Sequence, residues 1–132
     1  MAYASVLSRD PAQTYRQIDL AGRTANADGP ALVQLLYEEL CQALRVAAWA
    51  AENKKFAVKS ERVTRATAIL FALEANLDFE RGGQVSATLA RVYAGARKQV
   101  IEASLGHEGA PFRQVAETLA EIAEAWRMAR AA

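Results

Sequence analysis

Two helix-period apolar runs meet at Leu77-Asp78-Phe79-Glu80-Arg81-Gly82-Gly83, and this junction limits the possible folds more than any other stretch. Before it, Val63, Ala66, Leu70, Leu73 and Leu77 recur at alternating steps of three and four; after it, Val85, Leu89, Val92, Ala96, Val100 and Ala103 do the same. That period lines apolar side chains along one face of an α-helix. A helix that stops at a glycine pair and restarts at once reverses direction, because glycine readily takes the positive φ of a tight connection. The pattern therefore predicts antiparallel helices, with the reversal at Gly82-Gly83.

Extending the same reading gives the rest of the bundle. Leu32, Leu36, Leu40, Ala43, Leu44 and Ala47 form one stripe, entered through Gly29-Pro30 with Asp28 as a candidate cap and closed by the polar run Glu52-Asn53-Lys54-Lys55. A second helix is expected from about Ala57 to Leu77 and a third from Gln84 to Leu105. Gly106 to Pro111 make another reversal, with Gly106 as the expected C-terminal cap, and Phe112, Val115, Leu119, Ile122 and Trp126 mark a fourth helix. The expected fold is all-α: an antiparallel up-down four-helix bundle over residues 31–132, preceded over residues 1–30 by an N-terminal arm or a short extra helix around Pro11 to Leu20. A chain of 132 residues can bury one core without disulfides or metal. Thirty of those residues are alanine, which favours helix and lets helix axes come close, so the bundle should be slim.

The same residues argue against several kinds of chemistry. Sixteen basic and fifteen acidic residues are interspersed, without the basic face that nucleic acid requires. No run of about 18 uncharged apolar residues suggests membrane insertion. His107, the single histidine, sits in a Gly-flanked loop, and the single cysteine, Cys41, lies on the apolar stripe with no basic neighbour evident. A buried structural thiol and a solvated loop imidazole are the expected fates. Neither a zinc site from those ligands nor an inward Glu-x-x-His pair can be assembled. Asp78 and Glu80 read as helix-end carboxylates beside Arg81 rather than as paired catalytic acids. No enzyme and no cofactor are expected, and one unpaired cysteine fits the cytoplasm.

What remains is a surplus of apolar surface. Leu32, Val33, Leu35, Leu36, Tyr37, Leu40, Cys41 and Leu44 cover more of their helix than the roughly three-in-seven face a bundle needs, and the stretch Ile69 to Phe79 is similar. Such width means either a helix enclosed by several neighbours or a groove for another chain's helices. Tyr15, Ile18 and Leu20 in the arm suit the covering of such a groove.

Several short motifs resemble one family. Leu32-Val-Gln-Leu-Leu-Tyr37 resembles the Leu-rich stretch ending in Tyr of FliS, the flagellar export chaperones that bind flagellin. Leu77-Asp78-x-Glu80-x-Gly82-Gly83 is similar to that family's turn between middle helices, and Leu89-Ala-Arg-Val-Tyr93 to its Leu-x-x-Leu-Tyr. Leu119 to Trp126 resembles its terminal stretch, and Tyr15 with Thr24-Ala25 its N-terminal motif. The resemblance implies a cytoplasmic, non-enzymatic chaperone that holds the disordered C-terminal segment of flagellin, prevents early polymerisation and helps deliver it to the export gate. Partner-binding residues expected on that basis are Tyr15, Ile18, Leu20, Leu36, Tyr37, Leu40, Leu77, Phe79, Leu89 and Tyr93. A helical adaptor bundle with some other protein partner is the alternative.

Overall fold

The computed structural model describes residues 29–131, which form four helices: α1 Gly29–Glu52, α2 Phe56–Ala75, α3 Phe79–Ser104 and α4 Ala110–Ala131. Each spans at least about 30 Å at 1.5 Å per residue. They are joined by short turns and run up and down around one core. Among the described residues there is no strand. The expected arm over residues 1–30 lies outside the described residues, apart from Gly29 and Pro30, which already belong to α1.

The core is built chiefly on α1. Leu36, Leu40 and Leu44 are fully buried, and so are the alanines at 43, 47, 48 and 50, because α1 packs against both α2 and α4. Small side chains there let neighbouring helices approach closely. Ile69 and Leu70 from α2, Val100 from α3, and Phe112 and Leu119 from α4 close the interior. The wide apolar stripe of α1 is thus largely explained by enclosure between two neighbours.

The reversals are made differently from the expectation at two places. Between α2 and α3 the turn is Asn76-Leu77-Asp78, not Gly82-Gly83. Asn76 satisfies the end of α2, its side-chain amide donating to the Ala72 carbonyl at 2.9 Å. Asp78 starts α3, one carboxylate oxygen accepting from the Glu80 and Arg81 amides at 3.1 and 3.0 Å. With a side-chain cap available, the helix begins before the glycines. Gly83 does have positive φ, at φ 49° and ψ −118°, but it kinks α3 after its first turn rather than reversing the chain.

The second correction concerns Gly106. It carries no left-handed cap: Leu105 ends α3 in right-handed geometry. Lys59, almost buried on α2, donates from Nζ to the Ser104 and Gly106 carbonyls at 3.0 Å each. A cation supplied from the neighbouring helix meets the carbonyls and negative end of α3, so no glycine cap is needed. At the end of α1 the opposite occurs. Lys54 takes φ 56°, and the Lys55 amide reaches back to the Ala50 carbonyl at 2.9 Å. This is the closing bond of a left-handed helix end, made by a lysine where glycine is usual.

Candidate functional site

Ion pairs tie three of the four helix seams. Arg65 on α2 meets Glu39 on α1 at 2.8 Å, Arg97 on α3 meets Glu74 on α2, and Arg113 on α4 grips both carboxylate oxygens of Glu52 on α1 at 2.5 and 2.6 Å. The Arg113 guanidinium holds the Glu52 carboxyl below the usual carboxylate range. Arg97 also stacks on the exposed ring of Phe71, 4.2 Å from its centroid. Among the described residues no ion pair crosses between α3 and α4, and these two are the least closely packed of the neighbouring helices.

That seam is open. Arg91, Val92, Gly95, Ala96 and Gln99 on α3 face Val115, Thr118 and Leu119 on α4 across a depression of about 270 Å³. Beyond Gln99 a second depression of about 270 Å³ follows, bounded by Glu102, Ala103, Pro111 and Gln114. Together they make one groove along the seam. Its floor is apolar and rigid, since Ala96, Val115 and Leu119 belong to the buried core. Gly95 and Ala96 add almost no height, so a helix lying there could approach the α3 backbone closely. Val85, 64 % exposed, and Leu89, half-buried, continue the same face of α3 toward its kink. A third depression of about 290 Å³ lies between α1 and α4, but Glu38, Arg45 and Glu124 on its wall make it the more charged of the sites.

The expected partner-binding residues divide by location. Leu36, Leu40, Tyr37 and Tyr93 are all inside the bundle, Tyr37 and Tyr93 only 1 % and 2 % exposed. The two tyrosines come together from α1 and α3, hydroxyl to hydroxyl at 2.5 Å with ring centroids 6.3 Å apart, one hydroxyl donating to the other. Burial pushes both phenols above the ordinary tyrosine range; the neighbouring Tyr93 raises Tyr37 further, while the bond from Tyr37 offsets part of the rise at Tyr93. Leu77 and Leu89 are half-buried, and Phe79 is 54 % exposed at the start of α3. Tyr15, Ile18 and Leu20 lie outside the described residues.

Sequence reasoning missed the lining of the groove on both helices: Arg91, Val92, Gly95, Ala96 and Gln99 on α3 were not among the expected site residues, and neither was any residue of α4. The available signal was small: one α3 face reads Val85, Leu89, Val92, Ala96, Val100 and Ala103, with only alanine at two of the positions that line the depressions. Cys41 is buried as expected, with its thiol 3.7 Å from the Ala116 carbonyl. It does have a basic neighbour in Arg45, but burial outweighs that charge and pushes the thiol up. His107 is an exposed loop residue whose ring meets the edge of Phe56. Among the described residues no three His, Cys, Asp or Glu side chains gather as metal ligands, and no helix is long and apolar enough to cross a membrane.

Comparison with known proteins adds what geometry alone does not. The family model described as "Flagellar protein FliS" matches residues 11–132. A Pseudomonas aeruginosa protein named flagellar secretion chaperone FliSB is 27 % identical over 112 residues, covering 85 % of this chain and 89 % of the relative. The Salmonella typhimurium flagellar secretion chaperone FliS is 27 % identical over 116 residues, 87 % of this chain and 86 % of its own length. The Vibrio cholerae flagellar secretion chaperone FliS is 25 % identical over 118 residues, with 89 % and 87 % covered.

Proposed function

This chain belongs to the FliS family of flagellar proteins, and on that premise we propose that it is a cytoplasmic, non-enzymatic export chaperone for flagellin. Its client is the C-terminal segment of newly made flagellin, a segment disordered by itself that helps subunits polymerise. The chaperone covers that segment until delivery to the flagellar export gate. The observation that carries this reading is the family match, which takes in all four helices.

The α3–α4 groove supports it physically. A disordered client folds on binding by laying the apolar faces of short helices into grooves, and the cost of ordering lowers affinity per unit area while permitting a long interface. The groove offers buried apolar side chains at its floor and small residues above them. Leu77 in the turn before α3, with Phe79 and Leu89 on α3, extends the proposed contact, while Leu36, Leu40, Tyr37 and Tyr93 hold the walls in place from inside. Tyr15, Ile18 and Leu20 of the arm belong to the same proposal, as apolar side chains that compete with the client for bundle surface. Competition of that kind lowers apparent affinity by the fraction of time the surface is covered.

Calorimetric titration with the C-terminal segment of the organism's own flagellin tests the reading. Saturable one-to-one binding is expected, with a negative heat-capacity change from apolar burial. No binding by the full chain would overturn it. Deleting residues 1–22 should tighten the interaction; weaker binding after deletion would show that the arm contacts the client or gate instead.

A further inference from the structure

The groove between α3 and α4 has an apolar floor at Val92, Ala96, Val115 and Leu119, turns polar toward Gln99 and Gln114, and carries one charge of each sign near its two ends. Arg91 stands at one end and Glu102 at the other, both exposed. Neither enters an ion pair among the described residues; Arg91 makes only a long contact of 3.5 Å to the Thr88 hydroxyl. The other long polar side chains facing the groove, Gln99 and Gln114, are uncharged, and the described α4 residues that line it, from Pro111 to Leu119, include no ionisable one. Eleven residues separate the two charges, about 16 Å along α3 at 1.5 Å per residue. That is three helical turns. Elsewhere this molecule satisfies its basic residues at helix seams with a carboxylate across the seam, as at Arg65, Arg97 and Arg113. Among the described residues, Arg91 and Glu102 face the one seam without such an ion pair.

Resting on the flagellin reading above, we propose that this groove holds one amphipathic helix of the client about three turns long, oriented by charge. An acidic client side chain sits against Arg91 and a basic one against Glu102. The apolar floor supplies affinity without direction, since Val92, Ala96, Val115 and Leu119 would accept an apolar stripe running either way. The two charges break that degeneracy, because the reversed helix would place like charges together at both ends. Charge placement of this kind fixes register and suppresses wrong partners more than it adds raw affinity. The client's helix is therefore selected by its charge order as well as by its apolar face.

Titrations of full-length Arg91→Glu, Glu102→Arg and the double variant test this at low salt, where exposed charges are least screened. The probes are the flagellin C-terminal segment and the same segment with its acidic and basic residues exchanged. Each single variant should bind the natural segment roughly three- to tenfold more weakly with an unchanged melting temperature. The double variant should prefer the exchanged segment. Gly95→Trp, which fills the groove, should weaken both probes. Charge variants that bind like the parent while Gly95→Trp blocks binding would overturn the charge order and keep the groove. If Gly95→Trp also binds like the parent, the groove is not the seat of the helix, although flagellin binding stands. Absence of binding by the parent chain itself would remove the flagellin reading and this inference together.

Discussion

The seam that α1 makes with α2 and the seam between α3 and α4 are built from the same kinds of residue and end up opposite in character. Around α1, Leu36, Leu40, Leu44 and the inward-facing alanines are buried to completion and ion pairs run to both neighbours, the exposed Trp49 lying outside this packing. Between α3 and α4 the same alanine-rich, helix-period pattern leaves an open groove with no cross-seam ion pair among the described residues. The difference teaches that periodicity specifies a helix and its inner face, whereas closure depends on whether the facing helix brings complementary volume and charge. The closed seam is the frame; the open one is available for binding.

The largest effect should come from the frame. Leu40→Ala on α1 removes a fully buried side chain and should cost about 2–5 kcal/mol, read as a loss of denaturation midpoint. Val92→Ala in the groove should cost less than about 1 kcal/mol, because that side chain is only half-buried. Equal losses at the two sites would erase the distinction between frame and groove.

Two changes at glycine sharpen the comparison. Gly109 lets the start of α4 approach α1: a Cβ there would lie 2.8 Å from the Ala48 carbonyl oxygen and closer still to Glu52. Gly109→Val should destabilise by about 1–3 kcal/mol through that overlap. Gly83→Ala meets no atom, yet its φ and ψ are accessible to glycine almost alone, so about 1–3 kcal/mol is expected from strain. Thermal melts of both variants measure these costs; an unchanged midpoint at Gly83 would show that α3 can run straight through the kink.

The tyrosine pair joins the two regions, since Tyr37 belongs to the frame and Tyr93 to the helix that lines the groove. Tyr37→Phe strands a buried hydroxyl and should cost about 1–3 kcal/mol, while Tyr37→Phe with Tyr93→Phe should cost much less than the sum. The folded state holds both phenols above their ordinary range. Their contribution to stability is therefore complete below about pH 10, the ordinary tyrosine pKa, and is lost as pH rises above it and the unfolded chain ionises. Stability in the double variant should fall less steeply in that alkaline range. The smallest expected change is a gain: Lys54→Gly relieves the left-handed residue that ends α1 and should stabilise by up to about 1 kcal/mol. A loss there would mean that the lysine side chain contributes something the turn geometry does not show.

Most of the fold was legible in the sequence because alternating threes and fours at Val63 to Leu77 and at Val85 to Ala103 leave little alternative to helix. The reversal was misplaced because two glycines outweighed Asp78 as a signal, although a side-chain cap starts a helix more decisively than glycine ends one. Gly106 misled for a related reason: the partner of the α3 carbonyls is Lys59, forty-five positions from Ser104 and brought there only by packing. The site was less legible than the fold. Leu36 and Leu40 belong to a broad stripe, and sequence cannot tell a stripe that two neighbours enclose from one that awaits a partner. Gly95 and Thr118 border the groove without any pattern of their own, since an opening is a property of two helices together.

Hydrogen exchange of the full chain with and without the flagellin C-terminal segment tests the central claim most directly. Amides of α1 from Leu36 to Ala48 should be strongly protected in both states. New protection on adding the segment should concentrate on α3 from Leu89 to Ala103 and on α4 from Pro111 to Ile122. Protection that instead rises along α1 and α2, with the α3–α4 seam unchanged, would contradict the assignment of that seam as the client groove.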